Sequence, residues 1–188
     1  GALVTQTEKA SCGPWSAGRF ITLADDLATA FPCAAEVGIS GDIEERQIEA
    51  LLRAAGPEYA GVGGCNEGFI RDDALLVVVV ITDEDDGSIV PGEESSVGDP
   101  PQWFDELVAI KGGIESNAVV LALIGRPLPN DCNPNDTFTA KVGHRIKAFV
   151  DLFSYGRIGD VCAGDYAPFF NESLALISEA CEGFVPFE

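Results

Sequence analysis

Two stretches of the chain are apolar at every position, a pattern typical of strands that are buried on both faces. The first is LLVVVVI, residues 75–81, and the second is AVVLALI, residues 118–124. The valines of the first stretch are β-branched and favour an extended backbone. Strands without polar alternation belong to parallel sheets that have helices on either side. We therefore predict that both stretches are interior parallel strands.

Segments with the apolar spacing of helices surround these strands. The spacing predicts one helix over 18–31, stopped by Pro32, and another over 42–55, capped by Asp42. Further helices are predicted at 101–111, 137–153 and 166–181, and further strands at 2–7 and 158–162. This alternation predicts a single domain, residues 1–188. Its expected fold is α/β, with a doubly wound, mostly parallel sheet and helices on both faces.

The chain is strongly acidic, with 31 Asp and Glu against 11 Lys and Arg, a net charge of −20. This charge repels phosphate backbones and anionic membranes, so we expect neither nucleic acid nor a membrane surface as a partner. It attracts cations and basic proteins; alternatively, it serves only solubility. No apolar run reaches the ~20 residues that a membrane span requires.

Six cysteines and a single histidine, His144, argue against a structural zinc site, because no Cys-x-x-Cys pair occurs. Disulfides are the better interpretation, and they imply an extracytoplasmic location: secreted, periplasmic or on the cell surface. Proximity along the chain suggests the pairs Cys12–Cys33, Cys65–Cys132 and Cys162–Cys181. Other connectivities stay open, as does a cytosolic protein with free thiols.

Four consecutive carboxylates follow the first apolar strand: Asp83, Glu84, Asp85 and Asp86. Ligands of parallel sheets bind beyond the carboxyl ends of the strands. Neighbouring carboxylates repel one another unless a cation or solvent relieves the repulsion, and hard divalent cations prefer oxygen ligands. The loop is therefore a candidate metal-binding site, with a solvated loop that binds nothing as the alternative.

The segment LLVVVVITDEDD, residues 75–86, resembles the central strand and following loop of von Willebrand factor A-type (vWA, integrin I-like) domains. Together with VGISGDIEERQIEALLRAA (37–55) and NEGFIRDDALL (66–76), it is especially similar to vWA domains of secreted or lipid-anchored bacterial proteins. The resemblance covers about residues 2–181. It implies a Rossmann-like fold and a role in adhesion or protein binding.

The resemblance also implies a metal-ion-dependent adhesion site, in which three loops hold Mg²⁺ or Ca²⁺. Asp83 matches the aspartate of the third loop, whereas Ile39 stands at the threonine position of the second, with Ser40 as a substitute if the loop shifts by one residue. The Asp-x-Ser-x-Ser motif of the first loop is absent. The expected site is therefore degenerate, and its candidate metal ligands are Asp83, Ser40, Glu84, Asp85 and Asp86.

The first strand and helix of the family have no counterpart in this chain. In the family that strand lies mid-sheet, beside the strand matched by residues 75–81, so its loss would leave unpaired backbone groups at about 1–3 kcal/mol each if buried. We expect the strand on a separate N-terminal segment of a longer or cleaved protein. Alternatively, a partner donates a strand, or residues 2–7 have moved into the slot.

We therefore predict a binding module and no enzymatic activity. Its expected partner is a protein ligand or another copy of itself, with Asp83 and, if exposed, Trp103 as ligand contacts. A structural subunit of a surface assembly or filament, completed by strand donation, is the main alternative. A metal-assisted hydrolase is the weaker one, because no nucleophile elbow, phosphate loop or His-Glu-x-x-His motif occurs.

Overall fold

The computed structural model divides the chain into two compact units, which are described separately. It describes residues 2–38, 44–87, 95–133, 135 and 139–187. Unit 1 consists of Gly1–Ile43 and Arg53–Ile70, and unit 2 of Glu44–Leu52 and Arg71–Glu188. The single vWA-like domain stays a prediction.

Unit 2 is built on an open sheet of three parallel strands within the described residues. The strands are β1 (Leu76–Ile81), β2 (Ala118–Ile124) and β3 (Gly156–Asp160), in the order β1-β2-β3. Leu76 lies opposite Ala118 in the first pairing. The prediction of a mixed α/β fold with a parallel sheet is confirmed.

Six α-helices and one short 3₁₀ turn accompany the strands in the described part of the chain. They are α1 (Leu27–Ala35), α2 (Gln47–Ala55), α3 (Pro57–Ala60), α4 (Pro100–Ile110), the 3₁₀ turn (Glu115–Asn117), α5 (His144–Val150) and α6 (Ala167–Glu182). The predicted helices at 101–111 and 166–181 are confirmed within a residue at each end. None of the helices among these residues is both long and apolar enough to traverse a lipid bilayer.

Strand β2 is the centre of the unit 2 core, and all its residues are buried. Because side chains alternate between the faces of a strand, its even-numbered residues belong to one apolar cluster, and Val119 and Leu121 belong to another. The even-numbered ones pack with residues of α2, α4 and α5, including Leu107 and Phe149. Val119 and Leu121 pack with α6 residues such as Ala180. The prediction of an interior strand at 118–124 is confirmed.

Strand β1 forms as predicted and is parallel, but it lies at an edge of the described sheet. Val78 is buried, whereas Val77, Val79 and Ile81 are 37%, 44% and 59% exposed. The prediction that this strand is interior and covered on both faces is therefore wrong for the described residues. An unbroken apolar run indicates that both faces of a strand are suited to burial. It does not show whether another strand or helix lies beside the strand to bury them.

Lys111 fixes the chain just before β1, although lysine is rarely buried. Its Nζ donates to the carbonyl oxygens of Arg71, at 2.7 Å, and Ala74, at 2.9 Å. Desolvation by burial lowers the pKa of Lys111, an effect that the negative charges of Asp72 and Asp73 oppose. The ammonium therefore satisfies two carbonyl groups that would otherwise lack donors.

Unit 1 contains less regular structure than the pattern predicted. Residues 2–7 form no strand; Gln6 makes only an isolated antiparallel bridge with Ser11. The helix predicted over 18–31 begins instead at Leu27 and continues through Pro32. Short apolar segments without a sheet to join do not form strands, since a strand is stabilised by its neighbours.

Two aspartates set the late start of α1. Asp26 is its N-cap and accepts a hydrogen bond from the backbone N–H of Ala28. Asp25 accepts the backbone N–H groups of Ser16 and Thr22, each at 2.8 Å, which holds the preceding segment in turns. The backbone N–H groups of Thr22 and Ser16, helped by the hydroxyls of the same two residues, lower the pKa of Asp25 from 3.8 to about 2. Asp42, the predicted cap of α2, lies outside the described residues.

One disulfide bond lies in each unit, and two of the three predicted pairs are wrong. Cys12–Cys33 is confirmed in unit 1, whereas unit 2 contains Cys132–Cys162. Cys65 and Cys181 are free and exposed. Cys132 and Cys162 follow β2 and β3, and because parallel strands end at the same edge of a sheet, the two residues meet there. Two disulfides point to an oxidising environment.

We expect alkylation of the folded, unreduced protein to modify two thiols per chain, at Cys65 and Cys181. Both are exposed, and exposed thiols react through their thiolate form. Peptide mapping by mass spectrometry would locate the labels and the two cross-links. Complete resistance to labelling would contradict this assignment, since it would require a third disulfide.

Candidate functional site

Strand β1 leads into a braced turn at the carboxyl edge of the sheet. The Thr82 hydroxyl accepts the backbone N–H of Glu84 at 3.1 Å and donates to the Glu84 carbonyl oxygen at 3.0 Å. Gln47 Nε2 donates to the same hydroxyl at 3.1 Å. The backbone N–H of Lys141 donates to the carbonyl oxygen of Asp83 at 2.7 Å. The turn is thus held by its own residues and by two distant segments.

Asp86, predicted as a metal ligand, is fully buried and bonds to the protein itself. Its carboxylate accepts the backbone N–H groups of Ile48, at 2.8 Å, and Ser96, at 3.0 Å. It also accepts the Ser96 hydroxyl at 2.6 Å, and Arg145 lies 3.4 Å away. These donors come from three separate segments, so Asp86 ties α2, residues around 96 and α5 to the end of β1.

Asp85 determines where α5 begins. Its carboxylate accepts the backbone N–H groups of Arg145, at 2.9 Å, and Ile146, at 3.1 Å. These are N–H groups of the first turn, which have no partner inside the helix. The helix predicted over 137–153 therefore starts only at His144, and the described residues before it are not helical.

Arg145 and Trp103 extend this internal network. The Arg145 guanidinium donates to the carbonyl oxygens of Asp86, at 2.7 Å, and Gly98, at 2.9 Å, and lies 4.5 Å from the centre of the Trp103 ring. The indole N–H of Trp103 donates to the carbonyl oxygen of Val97 at 2.7 Å. Trp103 is only 1% exposed. The prediction that it contacts a ligand is corrected, because that role required an exposed ring.

Asp83 differs from the other three acidic residues of the loop. Glu84 forms a 3.0 Å ion pair with Lys141 on the surface. Asp83 is exposed, and in the described part of the chain its carboxylate has neither a hydrogen bond nor an ion pair. The acidic loop therefore presents one uncommitted carboxylate on a turn that its neighbours hold in place.

The acidic loop does not gather a metal-binding set. Among the residues that the structure describes, three potential ligand groups converge within 4.8 Å only at Cys132, Asp160 and Cys162. The two sulfur atoms there are bonded to each other, and Asp160 accepts the backbone N–H groups of Asp131 and Cys162. Ser40 lies outside the described residues. The residues of the loop therefore do not fit a divalent cation by themselves, and its binding stays a prediction.

The outer edge of β1 is the second feature of this site. β1 pairs with β2 alone among the described strands, so the backbone groups that point away from β2 have no strand partner there. The strand is six residues long and apolar throughout. Edges of this kind are templates for pairing with another chain.

No family model, curated protein or solved structure matches the chain. Sequence reasoning placed Asp83 at the carboxyl edge of the sheet but did not assign Ser96, Lys141 or Arg145 to the support of the loop. Lys141 and Arg145 were the available signal, because the carboxylates of an acidic loop in a folded chain need hydrogen-bond donors or cations beside them.

Proposed function

We propose that the chain is a protein-binding module that accepts an extended, basic segment of a partner along the free edge of β1. The observation that carries the proposal is a strand edge with no partner among the described residues, combined with an exposed apolar face formed by Val77, Val79 and Ile81. An added strand would satisfy the backbone groups of the edge, and its own aliphatic side chains would cover the valines.

Charge determines which segment fits. The chain carries a net charge of −20, and the exposed carboxylate of Asp83 lies two residues beyond the end of β1. Complementary charge speeds association and excludes unsuitable partners. The partner segment therefore has aliphatic residues at alternate positions and a lysine or arginine at the end that lies beside Asp83.

The vWA resemblance supports the same surface. In that family a further strand lies next to the strand that residues 75–81 match, and the loop after it contributes to adhesion. We accordingly propose a vWA-type, doubly wound fold with helices on both faces, completed by the added strand. We further propose an extracytoplasmic location, on or outside a bacterial cell, which the two disulfides support.

Two other functions are less well supported. Metal-dependent adhesion would need ligands beyond the described residues, because Asp85 and Asp86 are engaged with the protein's own N–H groups. The same engagement counts against a metal-assisted hydrolase, whose acid and base would come from this loop. A structural subunit of a surface assembly would use the same edge, with a second copy as the donor.

The test is binding of a short synthetic peptide with alternating valine and threonine and a terminal lysine, measured by fluorescence anisotropy. We expect saturable binding, and Val79→Lys should weaken it by about tenfold or more, ~1.4 kcal/mol, because a lysine there blocks the strand face. Val97→Lys is the matched control, since Val97 is also exposed but lies outside β1. Asp83→Asn should weaken binding mainly at low salt.

The control peptide has the same sequence with N-methylated backbone amides at alternate positions. Equal binding of the two peptides, or none by either, would overturn strand addition. Sedimentation of the chain alone tests whether a second copy occupies the edge instead. A dimer that Val79→Lys dissociates would assign the edge of β1 to a second copy.

A further inference from the structure

A pocket beside β3 is lined mainly by basic charged residues, whereas the chain as a whole is acidic. It has a volume of about 400 Å³ and lies between the segment after β2, the end of α5 and the start of β3. Three of the chain's 11 lysines and arginines line it, namely Arg126, Lys147 and Arg157, against one acidic residue, Asp151. The volume is in the range of small-molecule sites.

The three basic residues differ in what they are bonded to. Lys147 forms an ion pair with Asp151, one turn later in the sequence, and Arg157 forms one with Glu172 of α6. The Arg126 guanidinium has no hydrogen bond or ion pair within the described part of the chain. Two cations are thus held in place by their partners, while no described residue occupies the third.

The backbone around the pocket is held in position. Asn130 Nδ2 donates to the carbonyl oxygen of Arg126 at 2.6 Å, which closes the turn that carries the free guanidinium. A Cβ atom at Gly156 would lie only 2.2 Å from the carbonyl oxygen of Val150. Glycine is therefore required for the start of β3 to approach the end of α5 as closely as it does.

The rest of the lining is apolar, so the pocket favours an apolar group on its ligand as well as a negative charge. Pro127, Leu128 and Pro129 form one wall, and Leu128 is largely exposed although it lies beside Arg126. A planar guanidinium binds a carboxylate through two parallel hydrogen bonds. An adjacent apolar wall favours a ligand that carries a hydrocarbon group next to its charge.

We infer that this pocket binds a small organic carboxylate with an apolar substituent, with the carboxylate on Arg126 and the substituent against Leu128. The ligand is a free organic acid or the carboxyl-terminal residue of a peptide, which share this chemistry. The inference is independent of the β1 edge, since none of the residues that line the pocket belongs to β1.

Calorimetry with N-acetyl-leucine tests the inference, with N-acetyl-leucinamide as the neutral control. We expect saturable binding of the acid with a roughly millimolar dissociation constant and none of the amide. Arg126→Gln should weaken binding at least tenfold, whereas Arg71→Gln, an exposed arginine paired with Asp73 outside the pocket, should leave it unchanged. Leu128→Ser should weaken N-acetyl-leucine but not acetate.

Binding of the amide as tight as that of the acid, or unchanged affinity in Arg126→Gln, would overturn the inference. So would the absence of saturable binding by the wild-type chain. Inorganic phosphate binding as tightly as N-acetyl-leucine would reduce the pocket to a general anion site and overturn the apolar selectivity. A leucine-terminated tripeptide that binds more tightly than the amino acid would identify the peptide source, and equal affinity the free acid.

Discussion

Asp86→Ala is expected to lower the free energy of unfolding of unit 2 by about 3–5 kcal/mol, since it breaks a buried ion pair and hydrogen-bond network. The substitution leaves the backbone N–H groups of Ile48 and Ser96 without an acceptor in a site closed to water. It also removes the carboxylate that faces the Arg145 guanidinium. Each unsatisfied buried donor costs about 1–3 kcal/mol.

Urea denaturation followed by circular dichroism measures this effect, and Asp83→Ala is the matched control in the same loop. Because Asp83 is exposed and its carboxylate has no partner among the described residues, its loss should change stability by no more than about 0.5 kcal/mol. Similar midpoints for the two variants would contradict the internal role of Asp86. Similar midpoints would instead indicate that the Asp86 carboxylate is available to a ligand.

Trp103→Ala is expected to cost about 3–5 kcal/mol, the range for removing a large buried aromatic side chain. Trp103 forms a T-shaped ring contact with Phe149, with centroids 6.1 Å apart, and the Arg145 guanidinium lies over its ring at 4.5 Å. The variant leaves a cavity and an unsatisfied carbonyl oxygen on Val97. It also removes the support that holds Arg145 against Asp86.

Trp103→Phe separates these contributions, because it retains an aromatic ring but not the indole N–H. We expect it to be intermediate between wild type and Trp103→Ala in the same denaturation experiment. The chain has one other tryptophan, Trp15, which lies in unit 1. A stability of Trp103→Ala equal to that of wild type would contradict the burial of this side chain.

The central strand and the long terminal helix were predictable because local pattern and tertiary environment agree there. Every residue from Ala118 to Ile124 is apolar, and every one is buried. Strand β1 has the same pattern, yet half of it faces solvent. The difference comes from what lies beside each strand, and one strand's own residues carry no information about its neighbours.

The disulfide pairing failed for a related reason. Separation along the chain favours cysteines that are neighbours in sequence, but the covalent partners are set by strand order. Once β2 and β3 are adjacent and parallel, the residues that follow them meet, and Cys132 lies 4.9 Å from Cys162 between Cα atoms. The adjacency of β2 and β3, taken together with the positions of the cysteines in the chain, specifies this pair.

The acidic loop shows the limit of reading charge from sequence. The presence of four adjacent carboxylates was evident, but their roles depend on donors elsewhere in the chain. Ser96 lies 10 residues from Asp86, and Arg145 lies 60 residues from Asp85. Those contacts divide a uniform acidic run into a buried network member, a helix cap, a surface ion pair and one carboxylate without a partner in the described part of the chain.

The exposed valine face of β1 has a consequence for how the protein behaves in concentrated solution. At neutral pH the net charge of −20 opposes contact between copies of the chain, including contact through the edge of β1. Near the isoelectric point of about 4.1 the net charge approaches zero, so that repulsion disappears while the apolar strand edge remains exposed. Acid conditions therefore favour edge-to-edge pairing of β1 strands from different copies of the chain, and with it precipitation or fibril growth.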